Sequence, residues 1–273
     1  MLIDLLKVVV LGIVEGITEF LPVSSTGHLI VATALLRPNF SEALEGTFEI
    51  FIQLGAVIAV VFYYRRDLIQ QVMTVHKDAG VRRLWLAIVI SAIPAALVGF
   101  LFRDFIKDVL FHPLTVAISL IVGGILFIVL ERWFANRPTP TTTAVTAITW
   151  RQAAVIGGLQ ALSLIPGVSR AATSIFGGML TGLDRQTATR FSFYLAIPIL
   201  GGATIVDLLL SLDEISGNDV IFLAVGALVS GLVAFLAISW LLRFIARRDF
   251  TAFGIYRILA GSVILILIAL SLI

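Results

Sequence analysis

Runs of about twenty apolar residues, the length that an α-helix needs to cross a bilayer, recur along this chain and constrain its fold more than any other feature. Hydrophobic residues make up 59% of its 273 residues and charged residues only 13%. A soluble domain is about half apolar and about a quarter charged. The sequence therefore predicts an all-α polytopic membrane protein. Six transmembrane helices are expected, at about 47–64, 84–102, 113–131, 190–211, 219–242 and 253–272.

Two further apolar regions, at about 5–36 and 151–183, are each interrupted by a proline. Pro22 and Pro166 divide these regions into helices that are too short to cross the bilayer alone. Each region is therefore predicted to form a re-entrant helical hairpin. Broken backbone persists at membrane depth only where protein or a water-filled cavity covers it.

Basic residues orient the spans, because cytoplasmic loops carry an excess of Lys and Arg. If the spans alternate, thirteen of the 19 basic residues fall on one side and four on the other, with two beside apolar segments set aside. The side with thirteen is predicted to be cytoplasmic, and both termini then lie outside. The cytoplasmic set is Arg65, Arg66, Lys77, Arg82, Arg83, Arg132, Arg137, Arg151, Arg185, Arg190, Arg243, Arg247 and Arg248; the outer set is Lys7, Arg37, Arg103 and Lys107, with the acidic Asp213, Glu214 and Asp219.

With this orientation the first hairpin enters from outside and the second from inside. We therefore predict one integral membrane domain, 1–273, built as an inverted-topology repeat with halves at about 1–134 and 150–273. The segment LGIVEGITEFLPVSS resembles IGGLQALSLIPGVSR, with a one-residue slip near the prolines that aligns Ser25 with Ser169. Apolar helices with Gly and Pro also look alike by chance, but the charge-derived inversion is independent of this match and supports a repeat.

The first hairpin contains the stretch EGITEFLPVSSTGH, which has many groups that lipid penalises. Glu15 and Glu19 are four residues apart, so both carboxylates lie on one helix face. A charge at the bilayer centre costs at least about 2.5 kcal/mol, and intramembrane carboxylates by default mark an ion, proton or substrate site. We expect the two glutamates to hold a hard divalent cation, Mg²⁺ or Ca²⁺.

The residues after Pro22 predict a phosphate site. Ser24 or Ser25 is a natural N-cap for the next helix, and a helix start offers free N–H groups and a positive dipole end to an anion. His28 can share a face of the first turn with Ser25. Ser24 and Thr26 are candidate phosphate-binding residues. The alternatives are that the serine only caps the helix and that the histidine only bonds a backbone carbonyl.

The second hairpin contains IPGVSRAATS, which places Ser169 and Arg170 at another helix start. Arginine is permanently charged and offers a planar fork for phosphate oxygens, so both residues are candidates for phosphate binding. The alternative is that Arg170 only pairs with Glu15 or Glu19. If the hairpin tips meet, the cavity between them suits a phosphate or diphosphate with a divalent cation.

These motifs, with FEIFIQLGAVIAVV between them, make the chain resemble the undecaprenyl-diphosphate phosphatases of the bacitracin-resistance type over nearly its whole length. The resemblance implies a six-span inverted-repeat enzyme of the bacterial cytoplasmic membrane with two re-entrant hairpins. Such an enzyme removes the terminal phosphate of a C55 lipid carrier diphosphate with a divalent metal, recycles the carrier for cell-wall synthesis and confers bacitracin resistance. The resemblance places the motif residues at Glu15, Glu19, Ser25, His28 and Arg170. The chain departs from the family pattern at Ala171 and Ala172, where Ser-Gly is usual, so neither residue receives a role.

The mechanism we expect is phosphoryl transfer, in which Ser25 attacks the terminal phosphorus and His28 takes the hydroxyl proton. Arg170 and the helix starts stabilise charge on the transferring group. Attack by a water that the metal or a glutamate activates stays open as an alternative. The outward entry of the first hairpin predicts that the active-site cleft opens to the periplasmic face.

Two other functions compete with this one. A polyprenyl-phosphate flippase or secondary transporter is consistent with broken helices in an inverted repeat. A type-2 phosphatidic acid phosphatase carries an SR-x5-H signature, but the required histidine position after Ser169-Arg170 is Phe176. The expected partners are a polyprenyl diphosphate substrate and membrane lipid, and no nucleic acid. The small residues at Gly123-Gly124 and from Gly226 to Gly231 fit either packing within the chain or a homodimer.

Overall fold

The computed structural model describes residues 2–102, 105–136, 140–211 and 217–273, which form eleven α-helices. Arg103, Arg137, Asp213 and Glu214, which entered the charge argument, lie outside the described residues. The helices are α1 Leu2–Thr18, α2 Ser25–Leu36, α3 Glu42–Tyr63, α4 Arg65–Thr74, α5 Ala79–Leu101, α6 Pro113–Ala135, α7 Trp150–Gln160, α8 Arg170–Leu180, α9 Arg185–Ser211, α10 Gly217–Ile245 and α11 Thr251–Ala269.

Five of the described helices, α5, α6, α9, α10 and α11, are long and apolar enough to cross a membrane. Helices α3 and α4 make a sixth span if they count as one, although they are bent by 69° at their junction. The prediction of an all-α polytopic membrane protein is therefore confirmed. The polar helix α4 was not predicted from the sequence, where the first span was expected to end at about residue 64.

Both proline-containing regions break as the sequence predicts. Helix α1 ends at Thr18, and α7 continues into a 3-10 turn, Ala161–Leu164, before Pro166. A residue before proline is disfavoured in helical conformation, so neither helix continues through its proline. The four helices on either side of the breaks have 17, 12, 11 and 11 residues, which is too short for a span of about 20 residues.

The two breaks have the same local geometry. Ser24 caps α2 at φ 71° and Ser169 caps α8 at φ 77°, both in the left-handed region that non-glycine residues rarely adopt. Each serine oxygen accepts a hydrogen bond from the backbone N–H three residues on, Gly27 in one case and Ala172 in the other. Ser24 therefore corresponds to Ser169, and the one-residue slip that aligned Ser25 with Ser169 was wrong.

Helix contacts follow a paired pattern. Helix α10 packs against α1 and α3, and α5 packs against α7 and α9, while α6 packs on α11 and α3 on α9. At the crossing of α6 and α11, a Cβ on Gly124 would lie 2.5 Å from the Gly254 carbonyl oxygen, so only glycine permits this approach. The other small-residue segment also packs within the chain, where Gly231 lies against the backbone of Gly55.

Candidate active site

The tips of the two hairpins meet at the Glu19 carboxylate. The Ser25 hydroxyl donates to Glu19 Oε2 at 2.6 Å, and Arg170 Nη2 donates to Glu19 Oε1 at 2.9 Å. All three side chains are buried. Hydrogen bonds to ionised groups are the strong ones, so this carboxylate fixes a hydroxyl and a guanidinium on opposite sides of one small volume.

Arg170 is held on its second side by α9. Its Nη1 donates to the carbonyl oxygen of Ser192 at 3.0 Å, and the Ser174 hydroxyl donates to Ser192 Oγ at 2.7 Å. The guanidinium also lies 5.5 Å from the ring centre of Phe20. Its buried Nε has no hydrogen-bond partner in the described part of the chain, which leaves one N–H of the fork for an incoming oxygen.

Glu15 differs from Glu19 because its carboxylate is orphaned. The side chain is fully buried, and neither oxygen has a hydrogen-bond partner among the described residues. Burying an ionised carboxylate without a partner is very costly, so this group fits a cation ligand. The described residues contain no group of three or more His, Cys, Asp or Glu placed to hold a metal, but Mg²⁺ typically takes only one or two carboxylates and completes its shell with waters and substrate phosphates.

His28 lies in the first turn of α2 but is not bonded to Ser25. Its Nδ1 donates to the Ser24 carbonyl oxygen at 2.7 Å, and its Nε2 lies 2.6 Å from the Tyr256 hydroxyl, with the two rings stacked at 5.6 Å. In the neutral ring Nε2 is then the acceptor for the tyrosine O–H. The sequence expectation paired Ser25 with His28, whereas the structure gives the Ser25 hydroxyl a carboxylate acceptor.

The remaining candidate residues line the helix starts. The Ser24 and Ser169 oxygens accept backbone N–H groups as N-caps, and each hydroxyl still has its own proton to donate. Thr26 is half-buried in the first turn of α2. Ala171 and Ala172 are buried against the core, where their small apolar side chains fit the close packing of α8.

Three residues near the site were missed or set aside. Glu49 on α3 is half-buried and within 3.5 Å of the Thr33 hydroxyl, and Tyr256 binds His28. Arg257 is fully buried and donates to backbone carbonyls at both hairpin breaks. The available signal was an ionisable residue inside an apolar run, which is a functional-site hypothesis by default.

Together these features define a helical membrane protein in which two proline-broken hairpins assemble a hydroxyl, carboxylates and an arginine suited to a phosphate ester or anhydride. The chain belongs to the family of bacitracin resistance protein BacA, whose model matches residues 8–263. The resemblance inferred from the motifs is confirmed.

Relatives match almost end to end. The undecaprenyl-diphosphatase of Deinococcus radiodurans is 48% identical over 267 residues, which cover 97% of this chain and 96% of that protein. The undecaprenyl-diphosphatase of Parvibaculum lavamentivorans is 44% identical over 268 residues, with 98% of each chain covered. Undecaprenyl-diphosphatase 1 of Burkholderia ambifaria is 43% identical over 261 residues, with 95% of this chain and 94% of that protein covered.

Proposed function

We propose that this chain hydrolyses undecaprenyl diphosphate to undecaprenyl phosphate and inorganic phosphate in the bacterial cytoplasmic membrane. The reaction returns the lipid carrier to cell-wall synthesis and confers resistance to bacitracin, in keeping with the family. The observation that carries the proposal is the contact of Ser25 and Arg170 with one carboxylate, that of Glu19, in a chain whose near full-length relatives are undecaprenyl-diphosphatases.

Ser25 is the proposed nucleophile. Its Oγ attacks the terminal phosphorus, the anhydride P–O bond breaks with undecaprenyl phosphate as the leaving group, and water then hydrolyses the phosphoserine. Glu19 is favoured over His28 as the acceptor of the hydroxyl proton, because the hydroxyl already donates to Glu19 at 2.6 Å. Direct attack by a water that Glu19 activates remains the alternative.

Arg170 binds the terminal phosphate. It has a free Nε–H and a fork that grips Glu19 on one side and Ser192 on the other. Phosphate oxygens compete with Glu19 for this fork, because guanidinium binds both in the same planar geometry. As the phosphate takes the arginine, Glu19 loses one of its two hydrogen-bond donors and keeps the Ser25 hydroxyl as the other. The starts of α2 and α8 add N–H donors for the same anion.

A divalent cation, Mg²⁺ or Ca²⁺, fits beside these groups with Glu15 and Glu19 as its protein ligands. The orphaned oxygens of Glu15 support this assignment, and Glu19 retains unused lone pairs beside its two hydrogen bonds. When bound, such an ion neutralises charge on a diphosphate.

The membrane itself is the second partner. The substrate tail lies in lipid between the spans, so the protein needs little specificity for tail length. Helix α2 buries only three of its residues, Ser25, Gly27 and Leu29, which leaves the rest of this helix next to the path that a lipid substrate takes to Ser25.

We propose six spans with two re-entrant hairpins in an inverted repeat that forms one membrane domain. The paired helix contacts and the matching serine caps support this arrangement. The excess of basic residues on one side supports a cleft that opens to the periplasmic face. The small-residue segments pack within the chain, so they do not support the predicted homodimer, which stays a prediction.

Cysteine labelling tests the orientation, because the chain contains no cysteine. Asn39 and His76 are both exposed in connections between helices. In intact cells an impermeant maleimide is expected to label Asn39→Cys, and to label His76→Cys only after the membrane is opened. The reverse pattern would place the cleft on the cytoplasmic side.

A flippase activity is the second candidate, because paired contacts between two inverted halves are typical of secondary transporters. Both activities are separable in proteoliposomes. Phosphate release from an added polyprenyl diphosphate, sensitive to chelator, is expected for the phosphatase. Transfer of a fluorescent polyprenyl phosphate between leaflets without any phosphate release would favour the flippase instead.

A further inference from the structure

Arg257 of α11 is the largest fully buried side chain in the described part of the chain. Its guanidinium donates four hydrogen bonds, all to backbone carbonyl oxygens. Nη1 reaches Pro22 at 3.3 Å and Val168 at 3.2 Å, and Nη2 reaches Gly167 at 2.9 Å and Ser119 at 3.2 Å. One side chain is therefore bonded to both hairpin breaks and to α6.

We infer that Arg257 is a positioning residue that holds the two hairpin tips in register, so that Ser25, Glu19 and Arg170 keep their mutual geometry during the proposed phosphoryl transfer. The inference rests on the proposed function for its kinetic part only.

Three of the four carbonyls that Arg257 binds lie in the breaks between helices, and the fourth, that of Ser119, lies inside α6. A carbonyl in a break has no intrahelical donor, and an unpaired backbone group inside a membrane is costly. A guanidinium offers five N–H donors in a rigid fork, which suits several carbonyls at once. No ion pair of the described residues involves Arg257, so carbonyl dipoles and the Phe127 ring, 5.1 Å away, stabilise its charge.

The bonded carbonyls lie next to the reacting groups along the chain. Pro22 is three residues before Ser25, and Val168 is two residues before Arg170. Among the described residues, the other hydrogen bonds between the tips run from Arg170 to Glu19. Phosphate competes for that arginine, so the link through Arg257 is the one that persists when substrate binds.

A neighbouring glycine makes room for this guanidinium. A Cβ on Gly123 would lie 2.3 Å from Arg257 Nη2, so Gly123→Ala displaces the fork while leaving the arginine in the chain. Gly202 of α9 has nothing within 4 Å of the equivalent Cβ position. Gly202→Ala is therefore a matched control for the loss of a helical glycine.

The test compares Arg257→Lys, Arg257→Met and Gly123→Ala with Gly202→Ala in purified full-length protein. Hydrogen exchange of the backbone amides, measured by mass spectrometry, needs no substrate. We expect faster exchange at both breaks, 20–27 and 165–172, in the first three variants and no change in the control. Phosphate release should lose kcat by about a hundredfold in both Arg257 variants with KM nearly unchanged, because a displacement of about 1 Å costs this much.

Two results would overturn the inference. Faster exchange confined to α6 and α11 would make Arg257 a packing residue, and unchanged exchange at the breaks in Arg257→Met would remove it from positioning. If the unmodified protein released no phosphate from a polyprenyl diphosphate, the proposed function would fail, and the exchange data would still decide whether Arg257 holds the tips.

Discussion

Helices α2 and α8 both begin at a serine in the left-handed region that follows a proline break, yet α2 buries three of its 12 residues and α8 buries nine of its 11. The same serine cap after a proline break thus occurs in two environments. In the first hairpin it presents Ser25 and Glu19 beside a helix that lies partly open. In the second hairpin it places Arg170 at the start of a helix whose apolar residues, from Ala171 to Met179, belong to the largest hydrophobic cluster of the described residues.

This difference assigns the two hairpins different tasks. A lipid substrate has to approach along a surface that is not filled by protein, which suits the side of α2. A cation that must grip phosphate without moving is better placed on a closely packed helix, because preorganised charge needs no rearrangement during the reaction. Under the proposed repeat, Glu15 of α1 corresponds to Gln160 of α7, and both buried side chains lack hydrogen-bond partners in the described structure.

The largest effect is expected for Ser25→Ala. If Ser25 attacks phosphorus, phosphate release falls by several powers of ten, because no other hydroxyl is bonded to the Glu19 carboxylate among the described residues. Ser262→Ala on α11, whose hydroxyl only bonds the Ile258 carbonyl, is the control and should keep full activity. A Ser25→Ala enzyme with near-normal turnover would transfer the role to an activated water.

Arg170→Lys tests the second hairpin with charge conserved. A lysine cannot reproduce the planar contacts with Glu19, Ser192 and phosphate, so we expect about a hundredfold loss of kcat/KM, comparable to the removal of one oxyanion donor. The folded state should persist, as circular dichroism can verify. If lysine supports nearly full activity, Arg170 only neutralises Glu19, and the packed hairpin is scaffolding.

The apolar helices and the hairpin breaks could be predicted because their signals are local. Hydropathy over about 20 residues defines a span, and α6, Pro113–Ala135, begins where that signal does. The partner of Ser25 could not be predicted. The spacing of Ser25 and His28 favours a common helix face, but the turn at Pro22 brings Glu19, six residues back, to the hydroxyl instead. The contacts of Arg257 could not be predicted either, because the backbone carbonyls that it binds leave no pattern in a sequence.

Exchanging Glu and Gln at positions 15 and 160 tests the comparison of the two hairpins further. Glu15→Gln removes one of the two proposed cation ligands. Phosphate release should therefore fall about tenfold or more and recover in part at high Mg²⁺ or Ca²⁺, since the remaining ligands would bind the ion more weakly. The same change removes an unpaired buried carboxylate and should not lower the melting temperature in chelator. Activity that is independent of both the substitution and the metal would exclude Glu15 as a ligand.

The reciprocal change, Gln160→Glu, places an unpartnered carboxylate in the second hairpin. It should destabilise the protein without creating a new metal requirement, because Gln160 has no second glutamate four residues on. The measurement is the melting temperature with and without Mg²⁺. Stabilisation by Mg²⁺ in this variant would show that the second hairpin can also form a metal site. The proposal that only the first hairpin binds the cation would then be wrong.

The smallest effect concerns packing alone. Ala171 of α8 is fully buried, whereas Ala34 of α2 is only half-buried. Ala171→Leu forces extra atoms into a filled core and should cost about 1–3 kcal/mol of unfolding free energy. Ala34→Leu should change it by no more than about 0.5 kcal/mol. Thermal unfolding of both variants in one detergent measures the difference.

Because Ala171 adjoins Arg170, its substitution should also lower kcat, while Ala34→Leu leaves the reacting groups in place. Equal melting temperatures for the two variants would mean that α8 is no more tightly enclosed than α2, and the rigidity assigned to Arg170 would then have to come from its hydrogen bonds to Glu19 and Ser192.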